Sequence, residues 1–199
     1  MPVLSRRKAL VLPFCLALAA CETPDPSTED LVSMGNFRLG HNVVVSEKAL
    51  QGPLSRAASE GSWDAVMIDE LTRRFGSYEG DQLYHMGESV DSYVLAAPGV
   101  PLVFSPKSVL IVKATVWDDA ANKKLNTEAK QITVLESISG ETLLGSGLTQ
   151  TKEQQQRNLA RNAAKAIQRW MLDNPEWFGI ETAEARAARA KLGQTAEVT

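Results

Sequence analysis

The run Val109-Leu110-Ile111-Val112-Lys113-Ala114-Thr115-Val116-Trp117 carries the most regular pattern in the chain. Leu110, Val112, Ala114 and Val116 share one parity while Lys113 and Thr115 share the other, so the run predicts a strand with one buried face. The polar stretch Asp118-Asp119-Ala120-Ala121-Asn122-Lys123-Lys124 predicts a turn, and Gln131 to Ile138 predicts a returning strand. Residues 109–138 therefore read as an antiparallel hairpin. Gly140 opens a second turn, and Leu143-Leu144 can begin a last short strand before Gly145-Ser146-Gly147.

Working outward, Phe37, Leu39, Val43 and Val45 fall at even separations, which predicts a strand near 36–46 with those residues buried and His41 on the same parity. Trp63, Met67, Leu71 and Phe75 recur every four residues, which predicts a helix over Ser62–Phe75 with one apolar side. Ser62 can cap its start, Asp64 and the Arg73-Arg74 pair suit the two ends of its dipole, and Gly76 supplies the stop. Tyr84 to Ala97 holds β-favouring residues with poor alternation and predicts a further strand.

Residues 98–106 carry three prolines with apolar residues between them, which predicts a cover over the domain or a patch for a partner. Thr151-Lys152-Glu153-Gln154 is a capping-box pattern, and the helix it opens has Leu159, Ala163, Ala166, Ile167 and Trp170 on one side before Asn174-Pro175 ends it. The order β-α-β-β-β-α predicts an α+β two-layer sandwich, a mainly antiparallel sheet with both amphipathic helices on one face. Four segments follow: residues 1–20 as a signal peptide, 21–32 as anchor and tether, 33–179 as a single α+β domain, and 180–199 as an Ala-rich tail, partly helical or disordered. About 145 residues suffice to bury roughly two-thirds of the unfolded surface.

Composition narrows the function classes. The chain has 199 residues, 44% of them apolar, a net charge of −3, two cysteines and two histidines. That apolar share excludes a fully disordered chain, the acidity argues against nucleic acid, and most metal-site spacings need more Cys and His. No cofactor is expected. Gly87-Glu88-Ser89-Val90-Asp91 lacks the last glycine of a nucleophile elbow, and Lys152 is not at Walker spacing from Gly145-Ser146-Gly147. His41 and His85 read as isolated strand histidines, and Asp118 and Asp119 as turn residues.

The partner-facing candidate is Arg157, Arg161, Lys165 and Arg169, spaced by four on the last helix and opposite its apolar side. Such a stripe can dock an acidic partner or a cell-wall polymer, or it can be a solvated face with Glu153 paired to Arg157. Trp117, on the odd parity of its strand, is either an exposed contact or covered by a helix.

The N-terminus reads as an address. Arg6-Arg7-Lys8 precede an apolar run from Ala9 to Ala20, the layout of a secretory signal. Leu18-Ala19-Ala20-Cys21 resembles the lipobox of bacterial lipoproteins, and the resemblance implies cleavage between Ala20 and Cys21 with a diacylglyceryl group on the Cys21 sulfur. A plain signal peptide with an incidental cysteine is the alternative. Ser5-Arg6-Arg7-Lys8-Ala9-Leu10 also resembles a twin-arginine signal, with Ala9 departing from the usual bulky residue, so both export routes stay open. Glu22 stands where, in the enterobacterial version of the family, an Asp would hold the lipoprotein in the inner membrane, which favours the outer membrane facing the periplasm.

Removing residues 1–20 leaves 18 Lys and Arg against 24 Asp and Glu, a surface that would not seek anionic lipid on charge alone. With lipobox, tether and element order together, the chain is similar in layout to small periplasmic α/β lipoproteins. These include auxiliary lipoproteins of ABC-type transporters, activator lipoproteins of penicillin-binding proteins and the curli-secretion lipoprotein. The resemblance implies a non-enzymatic accessory module with an envelope protein partner. The rivals are an envelope hydrolase and a carrier holding an apolar ligand between its layers.

Overall fold

A computed structural model of the chain describes residues 32–97, 108–136 and 150–180. The order is β1 (Phe37–Val45), β2 (Leu50–Gln51), α1 (Ser62–Phe75), β3 (Gln82–Val94), β4 (Val109–Asp118), β5 (Lys123–Lys124), β6 (Lys130–Leu135) and α2 (Lys152–Leu172), followed by a 3-10 turn, Pro175–Phe178. This is the α+β sandwich that the periodicities predict, a mostly antiparallel six-stranded sheet with both helices on one face. The expected strand at Leu143-Leu144, the proline stretch 98–106 and the tail from 181 lie outside the described residues.

Sheet order follows from the connections. β1 and β2 pair with β3 in parallel, because α1 crosses over between them, while β3–β4 and β4–β6 are antiparallel. The 109–138 hairpin is interrupted: β5 pairs with the end of β4 and β6 with its beginning. Asn126 bridges the gap, accepting from Val116 N–H at 2.9 Å and donating to the Ala114 and Glu128 carbonyls. β4 alternates without a fault, with Leu110, Val112, Ala114 and Val116 fully buried under the helices.

Two bulges correct the parity readings. Between Leu39 and Asn42 the β1–β3 register shifts, so Phe37 and Val44 are buried while Val43 and Val45 point outward, 56% and 53% exposed. The predicted inward set of Val43, Val45 and His41 is thereby overturned, since one extra residue reverses every side chain beyond it. A second bulge, between Val90 and Ser92, explains the poor alternation of β3, whose Val90 and Tyr93 are both buried.

α1 spans the predicted residues and buries Trp63, Met67, Leu71 and Phe75. Its N-cap is Gly61 rather than Ser62, whose hydroxyl donates to the Ser59 carbonyl instead. α2 opens with the predicted capping box, Thr151 Oγ1 accepting from Gln154 N–H and Gln154 Oε1 from Thr151 N–H. At the end where the chain enters, Phe37 is ringed by Phe75, Tyr78, Tyr84 and Phe178 at centroid distances of 5.4–5.9 Å. The Tyr84 hydroxyl donates to the Trp177 carbonyl at 2.8 Å, so the 3-10 turn belongs to the core.

Candidate functional site

The predicted basic stripe divides: Arg157 and Arg161 pair with acids of α1, although Arg157 stays exposed and Arg161 half-buried. Arg157 Nη1 lies 2.7 Å from Asp69 Oδ2 and 3.2 Å from Glu70 Oε1, and Arg161 Nε lies 3.4 Å from Glu70 Oε2. Glu70 is fully buried in the seam between α1 and α2, so two of the four cations register one helix against the other. The Arg157 hydrogen bond holds the Asp69 carboxyl below its ordinary value, against a small opposing effect of burial, and Arg73 assists. Glu153 lies near Lys152 at 3.9 Å, and Arg157 takes its acids from α1, because the helix–helix contact brings them closer than its own helix does. Lys165 is half-buried and Arg169 exposed. Ala20 and Cys21 lie outside the described residues.

The two histidines, isolated in sequence, meet across the β1 bulge. Their rings stack at 4.8 Å, and His85 Nδ1 accepts from the His41 backbone N–H at 2.8 Å. That bond leaves His85 Nε2 to donate to Asp119 Oδ1 at 2.9 Å. Both ring nitrogens of His85 are thus committed to holding the bulge and the β4–β5 turn. Gly40 is required there, because a Cβ would fall 2.5 Å from His85 Nδ1. Asp118 caps the turn as predicted, accepting from Ala121 N–H at 2.9 Å. Among the described residues no group of three or more His, Cys, Asp or Glu is arranged to hold a metal ion.

The face of the sheet away from the helices is where surface chemistry collects. Its central strand β3 presents small residues outward, Gly87, Ser89 and Ser92, each in register with a large residue on β1 or β2: Val43, Val45 and Leu50. On the other flank stand Ile111 and Thr115 of β4, and further down Trp117, half-exposed on this open face. The result is a groove along β3, and its upper part is a trough of about 700 Å³ lined by Val45, Leu50, Ser89, Asp91, Ile111 and Gln131. Asp91, the bulged residue, is bonded to Lys113 at 2.5 Å and accepts weakly from the Ser89 hydroxyl at 3.4 Å. The Gly87-Glu88-Ser89 sequence therefore splits between faces, with Ser89 in the groove and Glu88 in the core.

Glu88 is the residue that the pattern reading missed. It sits on the core face, in register with Val44 and Ala114, and neither carboxyl oxygen has a hydrogen-bond partner. Burial pushes its carboxyl up to about 8, which keeps it protonated at neutral pH. The signal for it was an acid on the same parity as Met86 and Val90.

No family model matches the chain, and neither does any curated protein. Three solved structures are similar in outline. A protein of Xanthomonas campestris from the family DUF330 is 11% identical, over 72% of this chain and 88% of its own, with a TM-score of 0.41. The Chlamydia trachomatis protein CT253 is 10% identical over 74% and 99%, with a TM-score of 0.39. A minor lipoprotein of Acinetobacter baumannii is 17% identical over 70% and 94%, with a TM-score of 0.29. Scores this low carry no functional argument.

Proposed function

We propose that the chain is a lipid-anchored accessory protein of the bacterial envelope, one that works by presenting a surface rather than by catalysis. The observation that carries this reading is the one-sidedness of the sheet. Between sheet and helices the core is filled by side chains at or near zero exposure, while the outward face exposes Val43, Val45, Leu50 and Leu135 at 53–71%, against 38% for Ile68 on α1. Exposed apolar residues gathered on one side of a domain are the usual mark of an interaction surface. The apolar trough lies on that face, whereas a carrier of the kind expected would hold its ligand between the layers.

The anchor reading rests on the lipobox-like run ending at Cys21. No helix among the described residues is long and apolar enough to cross a membrane. Diacylglyceryl and further acyl chains on Cys21 would supply the membrane attachment, each buried methylene adding about 0.8 kcal/mol. The tether to Val32 then reaches at most about 40 Å, and residue 22 favours the outer membrane, periplasmic side.

Strand directions set the orientation. The start of β1, where the tether enters, lies at the same end of the sheet as the β4–β5 turn, because Phe37 pairs with Gln82 and Tyr84 with Asp118. Val45, Leu50, Val109 and Leu135 lie at the opposite end, pointing away from the membrane on this reading. In-cell crosslinking of the tagged, lipidated protein, followed by identification of what purifies with it, tests the proposal. One stoichiometric envelope protein is the expected result. A purification enriched only in a small molecule would replace the accessory reading by the carrier reading.

A further inference from the structure

We infer that the groove along β3 is a self-association surface whose occupant is a second copy of this chain, packed sheet to sheet about a two-fold axis parallel to the strands. The inference rests on the reading of the chain as membrane-anchored, and it names the first partner of the open face.

The groove and the ridge beside it match each other level by level. Val43 stands next to Gly87, Val45 next to Ser89 and Leu50 next to Ser92, each pair in backbone register. A two-fold axis along the strands, passing between β1 and β3, keeps every residue at its own level and exchanges ridge with groove. Val43, Val45 and Leu50 of one copy then enter the hollow over Gly87, Ser89 and Ser92 of the other, and the reverse holds by symmetry. The far wall of each groove, Ile111, Lys113 and Thr115, closes on the outer side of the inserted ridge. Facing sheets with strands aligned within about 30° and about 10 Å apart are the ordinary geometry of a sandwich core.

The residue type at Gly87 also fits the match. A Cβ at this position would meet no atom within 4 Å, so nothing in the monomer requires glycine there. Glycine inside a strand weakens it, and it commonly marks a place where another chain approaches closely. Charge is compatible as well. Asp91 and Lys113, the charges within the groove wall, neutralise each other, and Glu47 and Lys48 at the rim carry opposite signs. Two identical grooves can therefore face one another without unpaired like charges.

The axis also agrees with the anchor. Rotation about the strand direction leaves both chain entries at the same end, so both tethers reach one membrane. Three inserted side chains from each copy, Val43, Val45 and Leu50, make a small contact in the lower range of interface sizes. Confinement to a membrane raises the effective concentration and offsets that modest area.

The test uses the full chain expressed in cells and crosslinked in the intact envelope with a short bismaleimide. Val43→Cys is expected to give a product of twice the chain's mass, and Arg169→Cys, on the helix layer, is expected to remain monomeric. Adding Gly87→Trp to Val43→Cys starts from a position where a Cβ meets no atom within 4 Å, places an indole in the hollow, and should cut the crosslinked fraction roughly tenfold or more. The thermal transition of the double variant confirms that it folds. The chain without an introduced cysteine gives the background from Cys21. A monomeric Val43→Cys, a product containing a different protein, or indifference to Gly87→Trp overturns the inference. Fatty-acid labelling of the same bands reads the anchor separately: a labelled monomer refutes the interface and keeps the anchor, and an unlabelled dimer does the opposite.

Discussion

Replacing Glu88 by Gln changes the pH dependence of stability in a way that the structure sizes. Glu88 is 3% exposed, lies between Val44 and Ala114 on the core face, and has no partner for either oxygen. Its carboxyl titrates near 4.5 when unfolded and at about 8 when folded. Between those values the folded state binds the extra proton, so the stabilisation is full below about pH 4.5 and is lost as pH rises toward 8. Each unit is worth about 1.4 kcal/mol, which makes the loss on the order of 3 kcal/mol at pH 7. Against a total stability of about 5–15 kcal/mol, that loss is easily measured.

Gln keeps the size and does not ionise. Its buried amide carries a penalty of about 1–3 kcal/mol that is the same at every pH. The informative quantity is therefore the difference between the two proteins as a function of pH. Urea denaturation of both, from about pH 5 to about pH 8, should show Glu88→Gln gaining on the parent by about 1 kcal/mol or more per unit. Parallel curves would refute the reasoning, because they would mean that the ionised carboxylate finds water or a partner in the folded state.

Three other outcomes follow from named contacts. Glu70→Ala removes the buried carboxylate that Arg161 and Arg157 share, leaving Arg157 its Asp69 contact, and should cost about 3 kcal/mol in denaturant unfolding, while Arg169→Ala should stay within about 0.5 kcal/mol of the parent. Gly40→Ala pushes a methyl into the His85 ring and should cost at least about 2 kcal/mol, whereas Gly87→Ala, with open space around it, should be neutral or stabilising by up to about 1 kcal/mol. Equal effects at the two glycines would contradict the bulge geometry. Cys21→Ser should accumulate as an unprocessed precursor without fatty-acid label, and a labelled variant would sink the anchor assignment.

What was legible in the sequence is what local physics decides. The spacing of Trp63, Met67, Leu71 and Phe75 places α1 to the residue because a helix is built from contacts within four positions. The alternation of β4 and the capping box of α2 are read just as directly, and the count of helices and strands with their periods sufficed for the two-layer class. The candidate site was less legible. Arg157 and Arg161 were visible as a stripe, but their acids sit on another helix, and spacing within one helix cannot report which face a neighbour will cover.

Tertiary pairing decided the remainder. The bulge in β1 arises from matching β1 against β3 with His85 wedged over Gly40, and it alone determines that Val44 goes in and Val43 and Val45 come out. Without that one inserted residue the ridge facing Gly87 and Ser89 would not exist. His41 and His85 are 44 residues apart along the chain and stacked in space, and Glu88 is an ordinary polar letter until β3 becomes the central strand. The sequence by itself determined the elements and their apolar faces, because propensity and periodicity act over a few residues. Which face each side chain finally takes, and which charges meet, depends on register between distant strands and helices, and only the folded chain sets that.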